Sequence, residues 1–188
     1  MRILTRWTSA DLLTLPQDRG LRYEIIDGEI YVAMHPSVRH QGVCGEVTFA
    51  LGRWEEANGL GLALSTPGIV LPTGDEVIPD VMWIRTERLL QGAIDADGHV
   101  TRMPELLAEV LAPGQANQHR DRVVKLGLYA REGAQEYWIV DPEAQMVQVC
   151  RFTEADRVAI VTLAATDTLT SPLLPGFQCP VQTLFRWP

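Results

Sequence analysis

Three acidic side chains stand in stretches that should repel them, and one amine follows close behind. Asp80 lies inside VIPDVMWI, Glu109 inside LLAEVL and Glu24 inside YEIID. A carboxylate among apolar strand residues costs stability unless a partner offsets its charge. Each acid has a plain reading on its own: it reaches water at a strand edge, or it pairs with an arginine, since fully buried acids are rare. Two strand acids can instead share a divalent cation, and a nearby ammonium can complete a site for phosphate chemistry. The amine is Lys125, in NQHRDRVVKLGLYAREG, the only lysine in a chain with fifteen arginines.

On a helical wheel the apolar arc of that segment runs through Val123, Val124, Leu126, Gly127, Leu128 and Ala130. Lys125 then falls on the polar side with Asp121. Its plain reading is an exposed i, i+4 ion pair contributing a few tenths of a kcal/mol. An arginine would serve that pair equally well. A lysine is a compact point charge whose pKa responds to desolvation, so the lone lysine favours chemistry. His40 follows Ser37 by three residues, in the first turn of an expected helix, where anions bind. Its plain reading is a partly exposed first-turn histidine. His35 and His40 do not form a zinc pair. There is no Walker loop, no GxGxxG and no GxSxG, and the serines lack a histidine and acid pattern.

The elements that must position these residues follow from periodicity and turn signals. Thr8 or Ser9 caps a short helix that Pro16 stops. RYEIIDGEIYVAM is a hairpin turning at Asp27-Gly28. A long helix starts after the Ser37 cap, carries Val43, Val47, Ala50, Leu51 and Trp54 at helical spacing, and stops at Asn58-Gly59. GIVLP and VIPDVMWI read as strands joined by TGDE. The run Leu106–Leu111 reads as a central strand covered on both faces, with Leu107, Glu109 and Leu111 on one face. A helix of about 14 residues ending at Gly133 carries Lys125. EYWIVD and QMVQVCRF form a hairpin around PEA, VAIVTL is a further strand, and the proline-rich tail is irregular. This is an α/β (α+β) arrangement, a mixed sheet flanked by helices in a single domain over residues 1–188.

Composition narrows the function classes. The net charge of −8 and pI near 5.0 argue against coating nucleic acid by bulk electrostatics, while leaving local contact open. Cys44, Cys150 and Cys179 are odd in number and far apart, as expected of buried thiols in a reducing compartment. The N-terminus lacks a signal-peptide core, and no apolar run reaches a membrane span. A cytoplasmic location is expected.

Taken in order, YEIIDGEIYVAMHPSVRHQ, VIPDVMWI, PELLAEVLAPG, DRVVKLGLYAREGAQEYWIVDP and LLPGF resemble the Uma family of restriction endonuclease-like proteins, within the PD-(D/E)XK nuclease superfamily. The likeness spans about Thr8 to Phe185. Each motif alone is weak, and together they are specific. The resemblance implies a restriction-endonuclease-like fold, a four-stranded mixed core sheet with flanking helices, and a Mg²⁺ site that Mn²⁺ can also fill. Asp80 matches the Asp of the PD motif and Glu109 the acid of the (D/E)XK motif. The usual lysine position is Leu111, so the strict motif is broken, and Lys125 on the next helix becomes the source of the amine. Glu24 matches a family glutamate and is a further candidate metal ligand. His40 matches the family histidine at the first long helix. The family reads EVLSPS where this chain reads EVLAPGQ, so Ala112 replaces a hydroxyl and Gln115 is its candidate substitute.

The resemblance implies metal-dependent hydrolysis of DNA phosphodiester bonds, with a two-fold homodimer as the simplest way to cut both strands. The alternative is a non-catalytic binding or regulatory module that retains the nuclease fold. The acidic pI and broken motif favour that alternative, and the retained Asp80, Glu109 and Lys125 disfavour it. A third reading is a structural dimer whose polar cluster is a buried ion network.

Overall fold

The structure is a computed structural model and describes residues 6–16, 20–153 and 158–186. Helix α1 (Ser9–Leu12) starts at Thr8, whose amide and hydroxyl both donate to the Asp11 carboxylate. Strands β1 (Arg22–Ile26) and β2 (Glu29–Ala33) form the expected hairpin. Asp27 and Gly28 turn it with φ of 55° and 77°, the left-handed pair that a two-residue hairpin turn requires. Helix α2 (Val38–Asn58) begins where Ser37 Oγ accepts the His40 amide, and ends at left-handed Gly59.

Strand β3 (Gly61–Ser65) follows, then β4 (Ile69–Val70), β5 (Glu76–Val77) and β6 (Val81–Arg85). The expected strand VIPDVMWI is therefore two pieces. The β5 segment belongs to a four-stranded sheet of order β2-β1-β5-β4, and β6 belongs to the main sheet. Pro79 and Asp80 form the bend between them, so Asp80 stands just before a strand rather than inside one. Proline lacks the amide a ladder needs, which is why the run breaks there.

Helix α3 (Thr86–Leu90) leads to β7 (Leu106–Val110), buried along its whole length. Next come α4 (Gln115–His119), a π-turn (Arg120–Val124) and α5 (Lys125–Arg131), running as one continuous helical segment. Strands β8 (Glu136–Asp141), β9 (Met146–Phe152) and β10 (Val158–Leu163) complete the main sheet. A small pair, β11 (Thr168–Leu169) with β12 (Cys179–Pro180), and a 3₁₀ turn (Val181–Phe185) order much of the tail expected to be irregular.

The main sheet has six strands in the order β10-β9-β8-β7-β6-β3, larger than the four-stranded core implied above. Only β7 and β8 run parallel, so the sheet is mixed. Alternation along β7 divides the core. Leu106, Ala108 and Val110 face α2 and the tail, while Leu107 and Leu111 face the layer of α5 and the small sheet. Glu109 shares that second face, as the period-two reading expects. The three cysteines are free and buried. Among the described residues, no helix is long and apolar enough to cross a membrane.

Candidate functional site

Each site residue is held by an element whose local geometry explains its aim. On β1 the side chains of Arg22, Glu24 and Ile26 share one face. Ile26 anchors that face in the core, and Arg22 and Glu24 line a cleft of about 230 Å³. Enclosed small-molecule pockets run to roughly 300–1,000 Å³. This one suits a phosphate group and its waters better than a whole metabolite.

Glu24 Oε1 accepts the Ile78 amide at 2.8 Å, which ties β1 to the chain leading into the Asp80 bend. The β6–β7 ladder stops at the Val81–Ala108 pair. Where it would continue, Asp80 Oδ2 takes the Val110 amide at 2.9 Å. An unpaired strand amide thus finds its partner, and the carboxylate is aimed into the cleft. A second clamp ties the hairpin to the helix, since Arg131 at the end of α5 meets Asp27 and Asp75 at 3.1 and 3.2 Å.

Lys125 is the main correction to the sequence reading. It is not on an exposed polar face, being only 1 % exposed. The buried arc is Asp121, Lys125, Leu128 and Tyr129, so Val123, placed on the apolar side by periodicity, lies exposed. The wheel assumed that charges face water, and here two charged residues turn inward because partners await them. The π-turn delivers Lys125, whose amide reaches back five residues to the Arg120 carbonyl. Such single π-turns often occur at functional sites. The Lys125 ammonium lies 2.8 Å from Glu109 Oε1 and 2.8 Å from Glu24 Oε1. The Asp121–Lys125 pair of the plain reading is not found among the described residues; Arg120 holds Asp121 at 2.8 Å instead.

Glu109 Oε1 accepts a second bond, from Tyr129 Oη at 2.8 Å. Asp80 has a different neighbour, His40, whose Nε2 lies 3.3 Å from Oδ2. His40 is buried, against the partly exposed first-turn histidine expected. No ion pair joins Lys125 directly to Asp80 among the described residues, though both line the cleft. Gln115 is exposed at the start of α4 and does not line it. Asn117 does, with its amide donating to the Pro113 carbonyl at 2.8 Å.

Electrostatics separates the roles of these groups. Burial pushes the Glu109 carboxyl up to about 8; the Lys125 charge opposes this, and the nearby charges of Asp80, Asp121 and Glu24 add to it. Burial also opposes ionisation of Asp80, but contact with His40, the Val110 amide and the Lys125 charge outweigh it and hold its pKa below the usual value. Burial disfavours a charged Lys125, yet the charges of Glu109, Glu24 and Asp121 hold its pKa above that of an ordinary lysine. It is therefore an ammonium, suited to donate and to neutralise and unsuited to accept a proton.

Asp80 Oδ1 and Glu109 Oε2 take no hydrogen bond from the described residues, and neither is among their sealed, unpartnered polar atoms. Both residues line the cleft. Sequence reasoning missed Arg22 and Tyr129. Period-two alternation with Glu24 pointed to the first, and the i+4 position from Lys125 to the second.

A family model described as "putative restriction endonuclease", Uma2, matches residues 9–182. A crystal structure of a "putative nuclease belonging to DUF820" from Anabaena variabilis superposes with a TM-score of 0.75 at 17% identity, covering 96% of this chain and 98% of that one. That likeness establishes a shared fold. No curated protein matches the chain.

Proposed function

The chain belongs to the Uma2 family, and from that premise we propose that it is a divalent-metal-dependent endonuclease that hydrolyses DNA phosphodiester bonds. The observation that carries this reading is the Lys125 ammonium, buried 2.8 Å from both Glu109 and Glu24 at a cleft that Asp80 also lines. The donor set fits a hard cation. Mg²⁺ takes oxygen ligands, keeps several waters and commonly uses one or two carboxylates plus substrate phosphate. Asp80 and Glu109 each have one carboxylate oxygen that takes no hydrogen bond from the described residues, and Glu24 supplies a third carboxylate at the cleft. When bound, Mg²⁺ or Mn²⁺ supplies Lewis acidity towards a phosphodiester oxygen and lowers the pKa of a water ligand.

The remaining roles belong to the chain's own residues. An ammonium has three donors, and Glu24 and Glu109 take two of those on Lys125. The third, without a partner among the described residues, serves a phosphate oxygen or the attacking water, which it orients while offsetting developing charge. His40 fixes the Asp80 carboxylate, and Tyr129 fixes that of Glu109. Cutting a duplex on both strands is most simply done by a two-fold homodimer.

The direct test is cleavage of supercoiled plasmid. Nicking or linearisation is expected with Mg²⁺ or Mn²⁺ and none with EDTA. DNA that is bound but never cut would sink this reading and favour a binding module, which the leucine at position 111 already suggests.

Arg22 provides a second test. Three arginine or lysine side chains line the cleft. Lys125 and Arg120 have acidic partners, and Arg22 has none among the described residues. That supports a contact between Arg22 and a substrate phosphate. Arg22→Ala should weaken binding of a short duplex in Ca²⁺ roughly 10-fold, the size of one charge-assisted bond. The slope of log affinity against log salt should drop by about 0.9. Fluorescence anisotropy over a salt series reads both, and an unchanged slope would exclude the contact.

A further inference from the structure

One polar group behind the cleft is idle in the proposed chemistry. Cys44 follows His40 by one turn of α2, and its Sγ lies 3.5 Å from His40 Nδ1. The other ring nitrogen lies 3.3 Å from Asp80 Oδ2. All three residues are buried, and one ligand atom from each lies within 4.8 Å of the others. Thiolate, imidazole and carboxylate are the ligands of zinc sites, and an i, i+4 pair presents two of them on one helix face. We propose that His40, Cys44 and Asp80 form a site for a thiophilic divalent cation, Zn²⁺ above all, whose occupancy withdraws Asp80 from the hard-cation site and switches cleavage off.

The dimensions suit such an ion. Tetrahedral zinc with ordinary bond lengths has ligand-to-ligand edges of roughly 3.3–3.6 Å, and the Cys44–His40 separation of 3.5 Å is already one such edge. A separation as wide as 4.8 Å must close by roughly 1 Å to become another. Asp80 stands in a bend just before β6, and a side-chain rotation that gives up the Val110 amide would bring its carboxylate towards the other two ligands. His40 and Asp80 line the cleft, which provides an entry path and a water as fourth ligand.

The charge of Asp80 favours a cation there, against the opposing charges of Arg22 and Lys125. Burial, with the negative charges of Asp80 and Glu109, keeps the proton on Cys44. Asp80, held ionised below its usual value, attracts a divalent ion, whose binding releases that proton to solvent. The soft sulfur selects against Mg²⁺, which prefers oxygen. The site itself stands without the nuclease reading, and only its inhibitory consequence rests on it.

Co²⁺ serves as a spectroscopic probe. The full chain should take up one Co²⁺ with a thiolate-to-metal charge-transfer band that Zn²⁺ abolishes. A Cys150→Ser, Cys179→Ser double variant, with Cys44 its only thiol, should keep the band. Cys44→Ser should lose it, with Zn²⁺ affinity down on the order of 100-fold. In the plasmid assay, Zn²⁺ should stop Mg²⁺-driven cleavage by the wild type and by the double variant but leave that by Cys44→Ser unaffected. No band in either Cys44-containing protein, or a band that survives Cys44→Ser, overturns the site. Full cleavage at saturating Zn²⁺ overturns the inhibitory role. A protein that binds Co²⁺ through Cys44 but never cuts DNA supports the site and overturns the nuclease reading instead.

Discussion

Replacing Lys125 by methionine is expected to reduce plasmid cleavage to background and to lower stability by about 3 kcal/mol, the lower end for breaking a buried ion pair. The methionine fills a similar volume, so little cavity forms and the lost quantity is charge. Glu24 and Glu109 then face each other without the ammonium that lies 2.8 Å from each. Glu109, already pushed up to about 8 by burial, holds a proton at neutral pH and softens the penalty. That is the reason for choosing the low end. Urea midpoints in EDTA measure the loss, and Mg²⁺ should restore part of it by supplying positive charge near the same carboxylates. Cleavage should not return with the metal, because the donor to the phosphate is gone. Lys125→Arg keeps the charge but forces a longer, planar group into a position 1 % exposed. It should also fail to cleave. Undiminished cleavage by Lys125→Met would mean a contaminant or another site.

The second large effect separates the two principal carboxylates. Glu109→Gln and Asp80→Asn should each cut cleavage on the order of 10³-fold, as expected when a group stabilising the transition state is lost. Their effects on stability should differ in sign of pH dependence. The Glu109 pKa is raised to about 8, above its unfolded value near 4.5. Its contribution is present at low pH and is lost as pH rises from about 4.5 to 8. Glu109→Gln lacks that loss, so its stability relative to wild type should improve from pH 5 to pH 8. The Asp80 pKa is lowered. Its contribution is present above the unfolded value and disappears as pH falls through the folded one. Asp80→Asn should therefore be destabilised at neutral pH and approach wild type in acid. Urea titrations in EDTA at several pH values read both trends. Parallel trends for the two variants would refute the assignment of opposite shifts.

Much of the architecture was legible in local pattern. Asp27-Gly28 specified its hairpin because few residues tolerate the left-handed turn it makes. Ser37 and Gly59 bounded α2 by their capping chemistry. The unbroken apolar run of β7 announced a strand covered on both faces, and alternation placed Glu109 correctly. The failures were of another kind. The strand β3 was missed, because GLALS is short and glycine-led. The bend at Asp80 was read as strand, because apolar residues on both sides of Pro79 belong to different sheets.

The identities and order of the candidate site residues came from the chain alone: acids at 24, 80 and 109, a single lysine at 125, and elements of the right type to carry them. Only the tertiary structure decided where that lysine points. Periodicity rewards apolar residues for facing the core and assigns charges to water. It cannot register that Glu24, 101 positions away, and Glu109 offset the burial of an ammonium. Nor can a 3.6-residue wheel anticipate the π-turn that re-aims the helix just before Lys125. A buried charge is stable only through partners brought together by the whole fold, so its placement is a long-range property that no local segment contains.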